Sequence, residues 1–310
     1  MKITKFFALA LCIALLLAAF SFPSLAESES ITLTVHYTDG KTIISGASFS
    51  VYLIATADSG GEYKPIDSFK DYPVDFTAKT ELDMYHLATT LEGFVIADRL
   101  PPIFKGTTNE NGEFIFVTDS KATPKGLYLI VGEKHVQGDF CYTSEAFAIY
   151  LPAIDDEGKT HYDVTVQAKF SAIHKNSPPT SRKVCKIWDD ENAEDNRPDD
   201  IRVTLYKDGE IYETVTLSNE NNWSHEWFNL DSKARWSIIE NDEYENYTVV
   251  LTREGATYYF KNSYKETPPP PPDLPQTGQL WWPVPLLLLL GVAFITVGTV
   301  VCLKKKKIEN

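Results

Sequence analysis

Between Ile31 and Tyr264 apolar and polar residues alternate in short runs, the period-two signature of half-buried strands. Ile31, Leu33 and Val35 point one way, and Asp39-Gly40 supplies a turn. Ala47, Phe49, Val51 and Leu53 then share one face of a second strand. The period changes over 77–100. There Leu82 and Tyr85, then Leu91 and Val95, recur at helical spacing with Leu87 and Phe94 beside them, and Pro101-Pro102 ends the run. Strands are expected again at 114–117, 127–131, 147–151 and 162–170. A second β-rich stretch opens at Val184. It contains a hairpin over 201–217 around Asp208-Gly209, a favoured two-residue turn, and it closes on Trp236 to Glu240 and Tyr258 to Tyr264.

The pattern predicts an all-β chain of two β-sandwich (immunoglobulin-like or prealbumin-like) domains in tandem, the first with a helical insertion. The first spans 27–170 and the second 183–265. Between them 171–182 reads SAIHKNSPPTSR, a polar linker with a Pro pair.

The two ends follow other rules. Residues 1–26 read as a secretory signal: Lys2 and Lys5, an apolar run over 6–20, and the small-x-small site Ser24-Leu25-Ala26. Residues 266–273 hold Pro268 to Pro272, a run that adopts the extended polyproline II form and acts as a semi-rigid spacer. The segment 274–310 opens with Leu274-Pro275-Gln276-Thr277-Gly278, runs uncharged over 286–303, and ends on Lys304 to Lys307. At about 1.5 Å per residue the apolar run approaches the ~30 Å hydrocarbon core, so a transmembrane helix is expected. Trp281 and Trp282 suit its outer interface and the lysines its cytoplasmic end.

Charge and cysteine content narrow the function. The formal net charge is −14, and the two ends remove mostly lysines, so the part between them is more acidic still. That argues against nucleic acid as a partner. Cys141 and Cys185 lie outside the signal and the apolar run, in different predicted domains. This is no disulfide framework; two unpaired thiols are expected, with an inter-domain bridge as the alternative. The histidines are scattered without metal-ligand spacing, and no phosphate loop or catalytic triad stands in a recognisable context. No cofactor, metal or external catalytic activity is expected. The acidic residues from Asp189 to Asp200 fit no EF-hand spacing and read as a solvated loop.

In order, the pentapeptide, apolar run and lysine cluster resemble the cell-wall sorting signal of Gram-positive LPxTG proteins. That resemblance implies cleavage between Thr277 and Gly278 by a sortase, attachment to peptidoglycan through Thr277, and a wall-anchored location. The alternative is a single-pass membrane protein with an incidental LPQTG. The helical stretch before Pro101-Pro102, Gly126-Leu127-Tyr128-Leu129, Leu151-Pro152 and Tyr162-Asp163-Val164-Thr165-Val166 resemble the N-terminal domain of Gram-positive pilin subunits. Polymerising subunits of that family carry a Tyr-Pro-Lys-Asn motif where this chain reads Gln167-Ala168-Lys169-Phe170. Only Lys169 matches. The resemblance therefore implies a minor subunit, with Lys169 as a possible acceptor amine for another pilin; the alternative is an ordinary surface lysine.

The second stretch resembles the B-type domain of collagen adhesins. The matching motifs are Val184-Cys185-Lys186-Ile187-Trp188-Asp189-Asp190, Arg197-Pro198, Asn222-Trp223-Ser224, Trp236-Ser237-Ile238-Ile239-Glu240 and Tyr258-Tyr259-Phe260-Lys261-Asn262. Strand alternation gives Lys186, Glu240 and Asn262 each large apolar neighbours on its own face, turning all three inward. Burial there lowers a lysine pKa and raises a glutamate pKa. The family's chemistry is a Lys186–Asn262 isopeptide bond, with Glu240 as the catalytic proton shuttle; the alternative is an unreacted hydrogen-bonded trio. In the first domain the comparable strand reads Thr34-Val35-His36, with histidine where the family often has lysine, and no bond is expected. The expected role is a minor, basal pilin subunit. The alternative is a stand-alone wall adhesin for a host extracellular-matrix ligand.

Overall fold

The computed structural model describes residues 30–58, 61–78, 80–119, 125–155, 157–191, 193–242, 244, 246–265 and 283–306, with side chains of the last segment from 287 to 300. The signal at 1–26, the proline spacer, the LPQTG pentapeptide and the Trp281-Trp282 pair lie outside the described residues. The chain through Lys265 forms one compact unit, and Glu266–Asn310 forms another.

The N-terminal part begins with β1 (Ser30–His36), β2 (Ser48–Ala57) and β3 (Tyr63–Pro65), followed by helix α1 (Glu81–Ala97). Then come β4 (Phe104–Thr107), β5 (Glu113–Asp119), β6 (Gly126–Gly132), β7 (His135–Gln137), β8 (Phe140–Ser144) and β9 (Phe147–Leu151). The last four are β10 (Ala153–Ile154), β11 (Thr160–His161), β12 (Asp163–Gln167) and β13 (Phe170–His174). One sheet is ordered β12-β1-β5 and a second β3-β2-β6-β9, with β4 also pairing β2. All seven residues of β6 are buried, because both faces of its sheet are covered. Tyr128 and Ile130 meet Leu33, Val35 and Phe116 of the first sheet. Leu127, Leu129 and Val131 meet Leu87, Leu91 and Phe94 of α1. A strand covered twice reads as a continuous apolar run, which is why 127–131 shows no alternation. The face expected for β2, Ala47, Phe49, Val51 and Leu53, packs into the core between the two sheets; past it a bulge at Leu53/Ala55 puts Ala55 beside Ile54 on the helix side.

Helix α1 starts where Thr80 closes a capping box with Asp83, each side chain bonded to the other's backbone N–H. Leu82, expected on the apolar stripe, is 60% exposed. It sits in the first turn, ahead of the first buried residue, Leu87.

The C-terminal part holds β14 (Thr180–Asp189), β15 (Asp200–Lys207), β16 (Glu210–Ser218), β17 (Ser224–Leu230), β18 (Trp236–Glu240), β19 (Tyr247–Glu254) and β20 (Thr257–Tyr264). The stretch expected as a linker, 171–182, is strand at both ends: β13 runs to His174 and β14 starts at Thr180. Two sheets, β17-β14-β20-β19 and β16-β15-β18, enclose one core containing Val184, Val203, Leu205, Trp227, Ile238 and Phe260. At the β15–β16 turn Asp208 and Gly209 both have positive φ, 51° and 86°, as a two-residue turn of this twist requires.

The described fold is mostly β with few helices. The second helix, α2 (Pro283–Lys306), has 24 residues. Among the described residues no helix is long and apolar enough to cross a membrane. The expectation of a spanning helix is therefore not met within them; the segment on which it rested, 286–303, reaches past the described side chains at both ends.

Candidate functional site

Strands β14 and β20, the first and last of the C-terminal sheets, lie side by side in parallel, with Lys186 opposite Phe260 and Trp188 opposite Asn262. Lys186 and Asn262 therefore enter the core one diagonal step apart. Glu240 comes from β18 in the facing sheet. Lys186 Nζ donates to Glu240 Oε2 at 2.7 Å, and Asn262 Nδ2 donates to Glu240 Oε1 at 2.8 Å. The lysine and glutamate side chains are 0% and 1% exposed. The carboxyl thus bridges the amine and the amide, and no bulk water reaches either.

Removal from water disfavours both charged forms. Burial pulls the Lys186 amine down to about 8, against the opposing attraction of the Glu240 carboxylate. Burial also pushes the Glu240 carboxyl above the usual carboxylate range, against Lys186 and Asn262. The neutral pair, amine and carboxylic acid, is thereby brought within reach of the ion pair. Asn262 Oδ1 is buried with no partner among the described residues. A half turn of the amide would present that oxygen to Glu240 Oε1, where a protonated carboxyl can donate to it and polarise the carbonyl.

Trp188 forms the wall beside the amine, with Lys186 Nζ 4.3 Å from its ring centroid. Behind it Asp190, expected in a solvated acidic loop, is only 4% exposed. Arg197 donates to it from both Nε, at 2.8 Å, and Nη2, and the Tyr247 hydroxyl donates at 3.0 Å. The paired guanidinium removes the reason for Asp190 to stay in water, and its hydrogen bonds hold the carboxyl below the usual range. The run Trp188-Asp189-Asp190 followed by Arg197 was visible in the sequence; that these residues brace the amine's wall was not. Asp189 stays outside, bonded to Lys261 at 2.7 Å and Ser263 at 3.0 Å.

In the N-terminal part β1 also has a parallel partner from late in the sequence, β12, the last strand but one. The inward residues of β1, Ile31, Leu33 and Val35, are buried, as is Tyr37 just past its end. His36, read from sequence as standing in the lysine's place, faces the other way, opposite Gln167. No amine enters this core from β1.

Lys169 lies away from the trio. It is exposed, follows the buried Ala168, and its carbonyl accepts from Glu145 N at 2.8 Å. Its side chain borders a groove of about 480 Å³, with Met84, Tyr85, Phe147 and Tyr150 on the walls. Cys141 is buried and Cys185 half-buried, and both thiols are free.

In the C-terminal sheets a buried carboxyl from β18 thus links an amine and an amide on the first and last strands. Residues 182–263 match the family described as the Cna protein B-type domain. The chain is also 32% identical over 144 residues to a collagen adhesin of Staphylococcus aureus; the match takes in 41% of this chain and 12% of that protein's length. Similar solved structures include a single B repeat unit of the S. aureus collagen-binding surface protein, 19% identical, covering 76% of this chain and 98% of that one at a TM-score of 0.27. A shaft pilin from Lactobacillus rhamnosus GG is 15% identical, covering 77% and 99% at a TM-score of 0.24.

Proposed function

We propose that this chain is a structural surface protein of a Gram-positive bacterium, a minor subunit at the base of a pilus. In this reading it is exported by its first 26 residues and held at the membrane by its apolar C-terminal run. A sortase then joins it to peptidoglycan through Thr277 of Leu274-Pro275-Gln276-Thr277-Gly278. Its C-terminal sheets are closed by an isopeptide bond between Lys186 and Asn262.

The observation that carries this reading is the buried trio of Lys186, Glu240 and Asn262 inside the stretch that matches the B-type domain. In the reaction the neutral Lys186 Nζ attacks Asn262 Cγ. The Nζ–Cγ bond forms and the Cγ–Nδ2 bond breaks. The proton lost by the amine passes through the Glu240 carboxyl to Nδ2, which leaves as ammonia. Exclusion of water favours the neutral reactants and protects the intermediate from hydrolysis. The product needs no ligand and no turnover, which suits a load-bearing role. Intact mass of the folded chain tests it: one ammonia less than the sequence mass is expected, and the full sequence mass refutes the bond.

Lys169 supports the subunit role, being exposed at the rim of an aromatic groove where an extended peptide could lie. The likeness to a collagen adhesin motivates a second reading, a singly displayed adhesin for a matrix ligand. A wall extract run under denaturing conditions separates the two. A ladder of high-mass species supports the subunit, and one wall-linked species supports the adhesin.

A further inference from the structure

The strand that carries Glu240 belongs to the C-terminal sheets but is held from both sides. β18 is an edge strand, and all five of its residues are buried. Trp236 and Ile238 face their own core. Ser237 and Ile239 point the opposite way, yet each is only 8% exposed. What covers them is α1. Contact is tightest at Gly93, where a Cβ would lie 2.8 Å from the Ile238 carbonyl oxygen and 2.8 Å from Ile239 Cγ2. Gly93 is ordinary helix, so its missing side chain answers to this approach and to no backbone demand. Beside it Glu92 pairs with Arg235, the residue that leads into β18, with both side chains largely buried.

The same part of the chain also grips the opposite sheet. Edge strand β19 lies against β20, with Val249 directly opposite Asn262. Val249 N donates to the Pro73 carbonyl at 2.6 Å, and Leu251 N donates to Thr90 Oγ1 at 2.8 Å. Edge donators of this kind otherwise face water. The N-terminal module therefore fixes β18, which carries Glu240, and β19, which backs Asn262.

We propose that α1 is the positioning element for the crosslink: its docking sets Glu240 against Asn262 and keeps water out, so bond formation belongs to both modules together. This rests on the crosslinking reading of the trio. Gly93, Glu92 and Thr90 are positioning residues; none touches the reacting atoms. The reaction needs a bridged geometry at two hydrogen bonds, and a displacement of about 1 Å can cost on the order of 100-fold in rate. A branched side chain at Gly93 must displace either the helix or the Ile238 carbonyl by that order.

The test uses the compact unit ending at Lys265, made by pulsed cell-free synthesis and sampled for ammonia loss by intact mass. Gly93→Val is expected to slow bond formation at least about tenfold. Glu92→Gln, which keeps the shape and removes the charge partner of Arg235, is expected to slow it less. Leu33→Ala opens a cavity in the other core of the N-terminal module, away from this contact, and is expected to react at the wild-type rate. Circular dichroism checks that each variant is folded. The pH–rate profile supplies a readout that lost stability alone would not move. With water admitted, the carboxyl titrates lower and the amine higher, so in Gly93→Val the two limbs should move apart while the maximum falls. Wild-type kinetics in folded Gly93→Val overturns the proposal. Equal slowing in Leu33→Ala also overturns it, since stability would then be the cause. A wild-type chain that never loses ammonia defeats the reading of the trio itself.

Discussion

Replacing Lys186 by Met removes the nucleophile while keeping an apolar stem of similar length in the core. Glu240 is then left without a cation, but a carboxyl already pushed upward by burial can protonate and donate to the amide oxygen of Asn262, which has no other partner among the described residues. The native sheets are expected to survive. What is lost is the covalent closure of the chain between Lys186 and Asn262. If that closure restricts the unfolded chain as a disulfide does, its removal costs about 4 kcal/mol. For a unit of this size roughly 2–4 °C follows each kcal/mol, so melting should fall by about 10 °C. Asn262→Leu should fall by a similar amount. The decisive measurement is the double variant. Two side chains joined by one bond cannot each lose it separately, so Lys186→Met with Asn262→Leu should melt close to either single variant. Calorimetry gives the three shifts, and intact mass confirms that each variant keeps its full sequence mass. Additive shifts, with the double variant falling about twice as far, would refute the crosslink as the source of stability.

Other outcomes follow from particular contacts. Thr277→Ala should leave the protein in the membrane or the medium, with immunoblots of wall fractions as the check; unchanged wall attachment removes the sorting proposal. Lys169→Ala should abolish covalent conjugates with other subunits, and conjugates that persist in a denaturing gel point to another lysine. Asp190→Asn should cost about 2 kcal/mol near neutral pH, because it strands Arg197 and Tyr247, with the partial exposure of the arginine limiting the loss. Its pH dependence has a fixed sign. The folded Asp190 pKa lies below the unfolded value of about 3.9, so the wild-type advantage is complete above that pH and vanishes as pH falls through the lower folded value. A denaturant series at several pH values tests this; an advantage that persists in strong acid contradicts the assignment.

The sequence by itself determined what period and chemistry can encode. Alternation placed Lys186, Glu240 and Asn262 on the apolar faces of three strands, and the structure draws those three into one hydrogen-bonded group. Asp208-Gly209 marked its turn because only a few residues tolerate positive φ in succession. The helix announced itself by a change of period. Tertiary structure decided what depends on partners distant in the chain. Asp190 looked solvated because a carboxylate alone belongs in water, and Arg197 and Tyr247 let it go inside. Leu82 looked buried because periodicity marks a stripe without saying where cover begins. His36 looked like a stand-in for a lysine until its register put Val35 and Tyr37 on the inner face instead. Gly93 carried no signal at all. A glycine within a helix reads as a local weakness, and only the approach of the Ile238 carbonyl, far along the chain, gives it a reason to be there.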